Sequence, residues 1–424
     1  MEMVDKMKRR ADSPQGSRIG SVHNGSALFT GDAGSGESNI RRHIIENDYL
    51  EAIIQLPNNL FYNTGITTYI WVLSNKKADH RRGKVQLIDA SNLYQKLRKN
   101  LGQKNCEFTD DHIRQITQLY MDMPNTGISK VFPNREFGYY KVTVERPLRL
   151  AAQFTDERVA TLRFTPGLQE VMEWAYGKYG DEVYTQLKAH KEAIEAHVER
   201  EEITLSAKNR KELFSEATWK LQQDTLEAGQ LLAADVGGDE WLDFNRFEKR
   251  VDAAIKSLKL KLTAPQRKQI LNAMSWRDER AEKVIKKVHK FTPAKLRDLC
   301  NELGAHQDQL ADHGYWPNER GEHFEYEPDS ELRDTENVPL ALDGSLAAAE
   351  VIHDYFLREV RPHVDEAWIA LDKTVIGYEI SFNKYFYQHQ PLRSLEDVTA
   401  EILALEAETD GLLKQLVSFV RNVK

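Results

Sequence analysis

Four short apolar runs stand out from the polar N-terminal quarter of the chain: RIGSVHN at 18–24, LEAIIQL at 50–56, TTYIWVLS at 67–74 and KVQLIDA at 84–90. Each is continuous rather than alternating, of strand length, and rich in Ile, Val and aromatic residues. That pattern predicts strands buried on both faces of an α/β sheet. Between the first two runs, SNIRRHIIENDYL predicts a helix with Ser38 as N-cap and Ile40, Ile44 and Ile45 on its apolar face. PNNLFYNTGI reads as the turn from the second strand to the third, and RRG at 81–83 as the link to the fourth. A doubly wound sheet that stands alone needs more strands and crossover helices. Residues 1–95 are therefore expected to hold the late strands of a partial Rossmann-like domain, with the other half upstream.

From about residue 108 the periodicity turns helical, in TDDHIRQITQLYMDM, TPGLQEVMEWAYGKYG, DEVYTQLKAHKEAIEAHVEREEI, NRKELFSEATWKLQQDTLEAGQLLAADV, NRFEKRVDAAIKSLK, TAPQRKQILNAM, RDERAEKVIKKVHKF and TPAKLRDLCNEL. FGYYKVTVERPLRL at 137–150 is the exception, and its β-branched and aromatic content predicts a small strand or hairpin. The stretch 314–343 has neither period and predicts a long ordered loop, followed by a helix in AAAEVIHDYFLREV and an irregular aromatic segment in ISFNKYFYQHQPLR. The expected organisation is thus a partial α/β domain at 1–95, a mixed α/β extension at 96–150, a helical region at 151–315, and a C-terminal loop and helical region at 316–424.

The last helix carries a seam. Leu395, Val398, Ile402, Leu405, Thr409, Leu412, Leu416, Phe419 and Val423 alternate spacings of three and four, as at the a and d positions of a coiled coil. Ser394 with Asp397 supplies a cap, and Gly411 costs about 1 kcal/mol relative to Ala. The seam packs either on this chain's own helices or on a partner.

Charge narrows the function classes. The formal net charge of −8 argues against a histone-like binder, but leaves room for a local basic groove. Two cysteines, Cys106 and Cys300, make no disulfide framework or zinc ribbon and fit a reducing cytosol. No apolar run reaches membrane-span length and the N-terminus has no signal-peptide core, so a cytoplasmic protein is expected.

Among candidate motifs, GDAGSGES at 31–38 follows a strand and precedes a helix, yet Glu37 stands where a phosphate-binding loop needs Lys. Nor are its glycines spaced as in a dinucleotide fingerprint. It reads as a flexible loop beside a cleft or as a tight structural turn. The loop LPNNLFYNTG at 56–65 lies between two buried strands, where open α/β sheets place ligands. Phe61 and Tyr62 offer π-faces and Asn63 and Thr64 hydrogen-bonding groups, the combination an extruded base requires. The plain alternative is that one aromatic plugs the sheet end and the other lies on the surface.

The sequence HNGSALFTGDAGSGESNIRRHIIENDYLEAIIQLPNNLFYNTGITTYIWVLSNKK with RRGKVQLIDAS, together with EYEPDSELRDTENVPL, KTVIGYEISFNKYFY and PLRSLED near the C-terminus, resembles the modification subunit of type I restriction–modification enzymes. The resemblance implies S-adenosylmethionine-dependent methylation of adenine N6 in double-stranded DNA, with the target base extruded. It also implies that Phe61, Tyr62, Asn63 and Thr64 line the target-base pocket, and that Asn24, Gly25, Gly34 and Gly36 belong to loops at its cleft. The family's cofactor turn and its Asn-Pro-Pro-Phe/Tyr motif, which holds the amine lone pair toward the methyl donor, have no counterpart here, because no Pro-Pro pair occurs in the sequence. The cofactor site and the catalytic residues are therefore expected outside this chain, and the chain alone is expected to be inactive. The implied partners are the specificity and restriction subunits, double-stranded DNA and a separately supplied N-terminal methyltransferase segment. The competing reading is a non-catalytic scaffold that retains only subunit contacts.

Lys286, Lys287 and Lys290 within KVIKKVHKFTPAKLR could follow a DNA backbone or form a solvated helix face. His306, His313 and His323 have spacings that match no metal-ligand pattern, and no metal site is expected. For the C-terminal seam, the resemblance adds the specificity subunit as the partner of Leu395, Val398, Ile402, Leu405, Leu412 and Leu416.

Overall fold

A computed structural model describes residues 1–8, 13–342, 344–387, 394–405 and 407–408. An α/β N-terminal part is followed by a mostly helical middle and C-terminal region, and the chain forms two compact units, Met1–Phe137 with Tyr378–Lys424, and Gly138–Gly377. Among the described residues no helix is long and apolar enough to cross a membrane.

In the first unit the four apolar runs form β1 (Arg18–Asn24), β2 (Leu50–Gln55), β3 (Thr68–Ser74) and β4 (Lys84–Asp89). A separate hairpin of β5 (Gln95–Leu101) and β6 (Lys104–Glu107) follows, and β7 (Ser129–Pro133) then returns to the sheet, whose order is β1-β3-β2-β4-β7. Within it β2 and β4 run parallel, whereas β3 is antiparallel to both β1 and β2, and β7 to β4. β2 and β4 are buried on both faces, as their continuous apolar composition predicts. β1 is not. It lies at the sheet edge with only β3 beside it among the described residues, and Val22 is exposed.

The helix Gly36–Glu46 buries Ile44 and Ile45. It begins earlier than expected: Ser35 is its N-cap, while Ser38 is buried within the first turn and accepts a hydrogen bond from the Tyr378 backbone N–H at 3.1 Å. The helix Asp110–Asp122, capped by Thr109, lays Ile116, Leu119 and Tyr120 against Ile54, Leu56 and Ile88. A buried polar cluster fixes its placement. Gln86 Nε2 donates to Leu119 O at 2.7 Å and to Ser129 Oγ at 2.9 Å, and the Tyr120 hydroxyl donates to Glu51. Burial and that bond to Glu51 push the Tyr120 phenol up to about 12.

The second unit holds β8 (Gly138–Glu145) and β9 (Leu150–Ala152), as expected for 137–150, and most of the predicted helices. One apolar cluster gathers Phe247, Val251, Ile270, Met274 and Leu162, and another gathers Trp219, Met172, Val183 and Ile194. The single helix read over 209–236 is two, Ala207–Leu213 and Glu216–Val236. Ser215 caps the second by accepting from Thr218 N, and Trp219 Nε1 reaches back to Leu213 O at 2.8 Å, which ties up the carbonyl at the break.

Two expectations fail in this unit. The segment 277–291 is not helical: β10 (Ser275–Arg277) pairs with β9, and β11 (Ile285–His289) belongs to another sheet. The apolar spacing of Ile285 and Val288, which mimics a helical period, comes from a register irregularity between Ile285 and Lys287. The supposed long loop contains β12 (Trp316–Pro317), β13 (His323–Tyr326) and β14 (Asp334–Pro339), whose polar residues alternate on half-exposed sheets. β15 (Trp368–Tyr378), which completes the sheet β14-β8-β15, lies in a stretch for which no strand was predicted.

Near the C-terminus the Ser394 hydroxyl accepts from Asp397 N at 3.1 Å and begins a helix in which Leu395, Ile402 and Leu405 are exposed. Thr409, Leu412, Leu416, Phe419 and Val423 lie outside the described residues.

Candidate functional site

The carboxyl ends of the parallel pair β2 and β4 meet where Gln55 lies opposite Asp89. At the same end β1 finishes with Asn24 opposite Thr68, the first residue of β3. The loop 56–67 therefore crosses the edge at which open α/β sheets place their ligands.

The hairpin β5–β6 holds this loop from outside. Gln103 N donates to Tyr62 O at 3.0 Å, Asn105 N to Asn59 O at 3.1 Å and Lys104 Nζ to Leu60 O at 3.1 Å. Beneath it, buried Cys106 approaches Asn58 O at 3.2 Å, and burial raises its thiol pKa, so the sulfur is a packing group rather than a nucleophile. Inside the loop Asn59 N donates to Gly65 O, Phe61 bridges Thr64, and Thr67 Oγ1 donates to Asn58 Oδ1 at 2.6 Å.

With its backbone tethered, the loop presents side chains outward. Phe61 is 38% exposed and Tyr62 59%, Asn63 is exposed, and the Thr64 hydroxyl accepts from Ile66 N. Leu56 and Tyr69, which flank the loop, are buried, and Tyr69 packs edge to face on Phe382 at 5.3 Å between centroids. Burial, then the Asp89 carboxylate, raises the Tyr69 pKa and keeps that phenol neutral. Two rings, an amide and a hydroxyl on one rigid backbone can stack on a planar heterocycle and hydrogen-bond its edge.

Gly102 sets the clamp. Its φ is +63° and a Cβ there would lie 2.7 Å from Tyr62 O. Gly102→Ala is expected to lower stability by about 1–2 kcal/mol. Amide exchange at Gln103 should quicken with it; unchanged exchange would show that the hairpin does not hold the loop.

The other expected cleft residues have different surroundings. Asn24 Oδ1 accepts from Ser26 Oγ at 2.6 Å, and Gly25 precedes a short helix, Ser26–Phe29, beside Tyr69. Gly34 and Gly36 belong to a turn wrapped around the buried Arg41 guanidinium, which donates to the carbonyls of Thr30, Ala27, Gly31 and Tyr378. Within the segment Asn39 Nδ2 also donates to Gly34 O at 2.8 Å. Lys286, Lys287 and Lys290 sit on or just beyond β11 in the second unit; Lys286 pairs with Glu325 at 2.5 Å and Lys290 with Glu322 at 2.9 Å. Acidic residues of and beside β13 already neutralise most of that run. The clamp residues Asn59 and Gly102 to Cys106 escaped the sequence reading, although Gly102-Gln103 between two polar segments is a two-residue hairpin signal.

Comparison with known proteins places this site in context. The family of N-6 DNA methylases matches residues 11–140. The methylase subunit of the type I restriction enzyme MjaIX of Methanocaldococcus jannaschii is 36% identical over 88 residues, 21% of this chain and 15% of that protein. The MjaVIII methylase subunit of the same organism is 33% identical over 115 residues, 27% of this chain and 19% of that protein. The chain therefore matches less than a fifth of the length of either relative. A solved methyltransferase subunit of a type I restriction-modification system from Streptococcus thermophilus is 27% identical, covering 28% of this chain and 24% of its own, with a TM-score of 0.25. Residues 11–140, which contain the loop and its clamp, thus match the N-6 DNA methylases, and about a quarter of the chain or less is similar to methylase subunits of type I restriction enzymes.

Proposed function

We propose that this chain supplies one wall of the target-base pocket in a type I restriction–modification DNA adenine methyltransferase, a cytoplasmic enzyme that uses S-adenosylmethionine to methylate adenine N6 in double-stranded DNA. The observation that carries the reading is the clamped loop with outward Phe61, Tyr62, Asn63 and Thr64 at the carboxyl end of β2 and β4, inside the segment that matches the N-6 DNA methylases. The rings stack on the extruded adenine while Asn63 and Thr64 meet its edge. Asn24 and Gly25, at the same sheet end, border the cleft.

On this reading S-adenosylmethionine and the Asn-Pro-Pro motif belong to a segment other than this sequence, which has no Pro-Pro pair. The partners are the specificity subunit, the restriction subunit and DNA, with Leu395, Val398, Ile402 and Leu405, continued by Leu412 and Leu416, as the seam toward the specificity subunit. The test is methyl transfer from labelled S-adenosylmethionine. The chain alone should transfer none, and transfer should appear when the specificity subunit and a polypeptide carrying the Asn-Pro-Pro motif are added. If the reconstituted mixture assembles but transfers no more with this chain than without it, the chain is a scaffold.

A further inference from the structure

A cavity of about 380 Å³ in the second unit is lined from β8, β11, β13, β15 and the helix Pro293–Leu303. Two of its lining side chains are almost wholly buried and incompletely bonded. Glu145, 1% exposed, accepts through Oε1 from Arg333 Nε at 2.9 Å and from Lys373 Nζ at 2.7 Å, while Oε2 has no hydrogen-bond partner among the described residues. His313, 7% exposed, likewise has an unpartnered Nδ1. A carboxylate oxygen only accepts, so Glu145 Oε2 calls for a donor, and leaving such an atom bare is destabilising.

The surrounding charge says what kind of donor. The cationic residues of the lining are already committed, Lys373 to Glu145 and Lys286 to Glu325. Glu302 and Asp372, also in the lining and exposed, form no ion pair among the described residues. Burial and the neighbouring His353 push His313 down to about 4, so it is neutral near pH 7 and adds no opposing charge. Tyr315 and Trp368 contribute aromatic surface to the same walls, which suits methylene groups and an ammonium head.

We propose that this cavity is a binding site for a small aliphatic amine, whose ammonium group donates to Glu145 Oε2 and whose far end is held by Glu302 and Asp372. An anionic ligand would meet the uncompensated, exposed carboxylates of Glu302 and Asp372 and an acceptor-only oxygen on buried Glu145.

Calorimetric titration of the full chain with 1,4-diaminobutane tests the site. Saturable binding is expected, weakened about tenfold by Glu145→Gln, which removes a charge-assisted hydrogen bond. The double variant Glu302→Gln/Asp372→Asn, altered only at exposed positions, should weaken it as well and decides the matter if Glu145→Gln does not fold. Succinate, of similar length and opposite charge, should not bind. Absence of saturable diamine binding, equal affinity in the folded variants, or binding of succinate instead would each overturn the proposal.

Discussion

In the reconstituted methyltransferase, replacing Phe61 and Tyr62 together with alanine is expected to slow methyl transfer by about two orders of magnitude while leaving the chain folded. Stacking of a base on an aromatic side chain is worth about 1–3 kcal/mol per ring, and each 1.4 kcal/mol is a factor of ten. The folded state should tolerate the change because the rings are 38% and 59% exposed and the hairpin grips backbone atoms, the carbonyls of Asn59, Leu60 and Tyr62, which the substitutions keep. Single-turnover transfer from labelled S-adenosylmethionine reads the loss, and a thermal melt confirms folding. Tyr62→Phe preserves the π-face and should retain most of the rate, which separates stacking from the hydroxyl. A double variant that transfers at full rate would remove these rings from the base pocket.

How far this site was legible depends on where the information resides. β2 and β4 are buried on both faces, and burial of that kind leaves a continuous run of Ile, Leu and Val that local sequence reveals. The position of loop 56–67 follows from those strands, as does the proximity of Phe61 and Tyr62 to the sheet end. What local sequence hides is the hairpin, because Gln95–Leu101 is mostly exposed and polar and carries no hydrophobic period. β11 misleads in the opposite sense. Its lysines face acidic residues on and beside β13, a long-range pairing, so in isolation the run looks like a solvated helix face. The glycine turn at 31–38 likewise takes its shape from Arg41 and from Tyr378, far along the chain, and neither is suggested by the glycines themselves.

Arg41 should therefore be among the most sensitive positions in the first unit. Its side chain is 3% exposed, with Nε donating to Tyr378 O at 2.6 Å and Nη1 to Thr30 O at 2.8 Å and Ala27 O at 3.3 Å. Arg41→Ala leaves those buried carbonyls without their donor, and is expected to cost about 3–4 kcal/mol, since hydrogen bonds to charged groups contribute roughly 1.5–3 kcal/mol each and unmet acceptors add a penalty. Arg41→Lys keeps the charge but replaces a planar fork with a single ammonium head, so it should recover only part of the loss. Arg41→Met restores the volume without a donor and should resemble alanine if hydrogen bonding, not packing, is the cause. Thermal unfolding followed by circular dichroism ranks the variants, and limited proteolysis should find new cleavage within 27–38 in Arg41→Ala. If methionine is as stable as arginine, the carbonyls are satisfied in some other way and the turn does not depend on the guanidinium. If all three variants lose stability equally, the geometry of the fork is what matters, because neither charge nor volume alone then substitutes for five donors fixed in one plane.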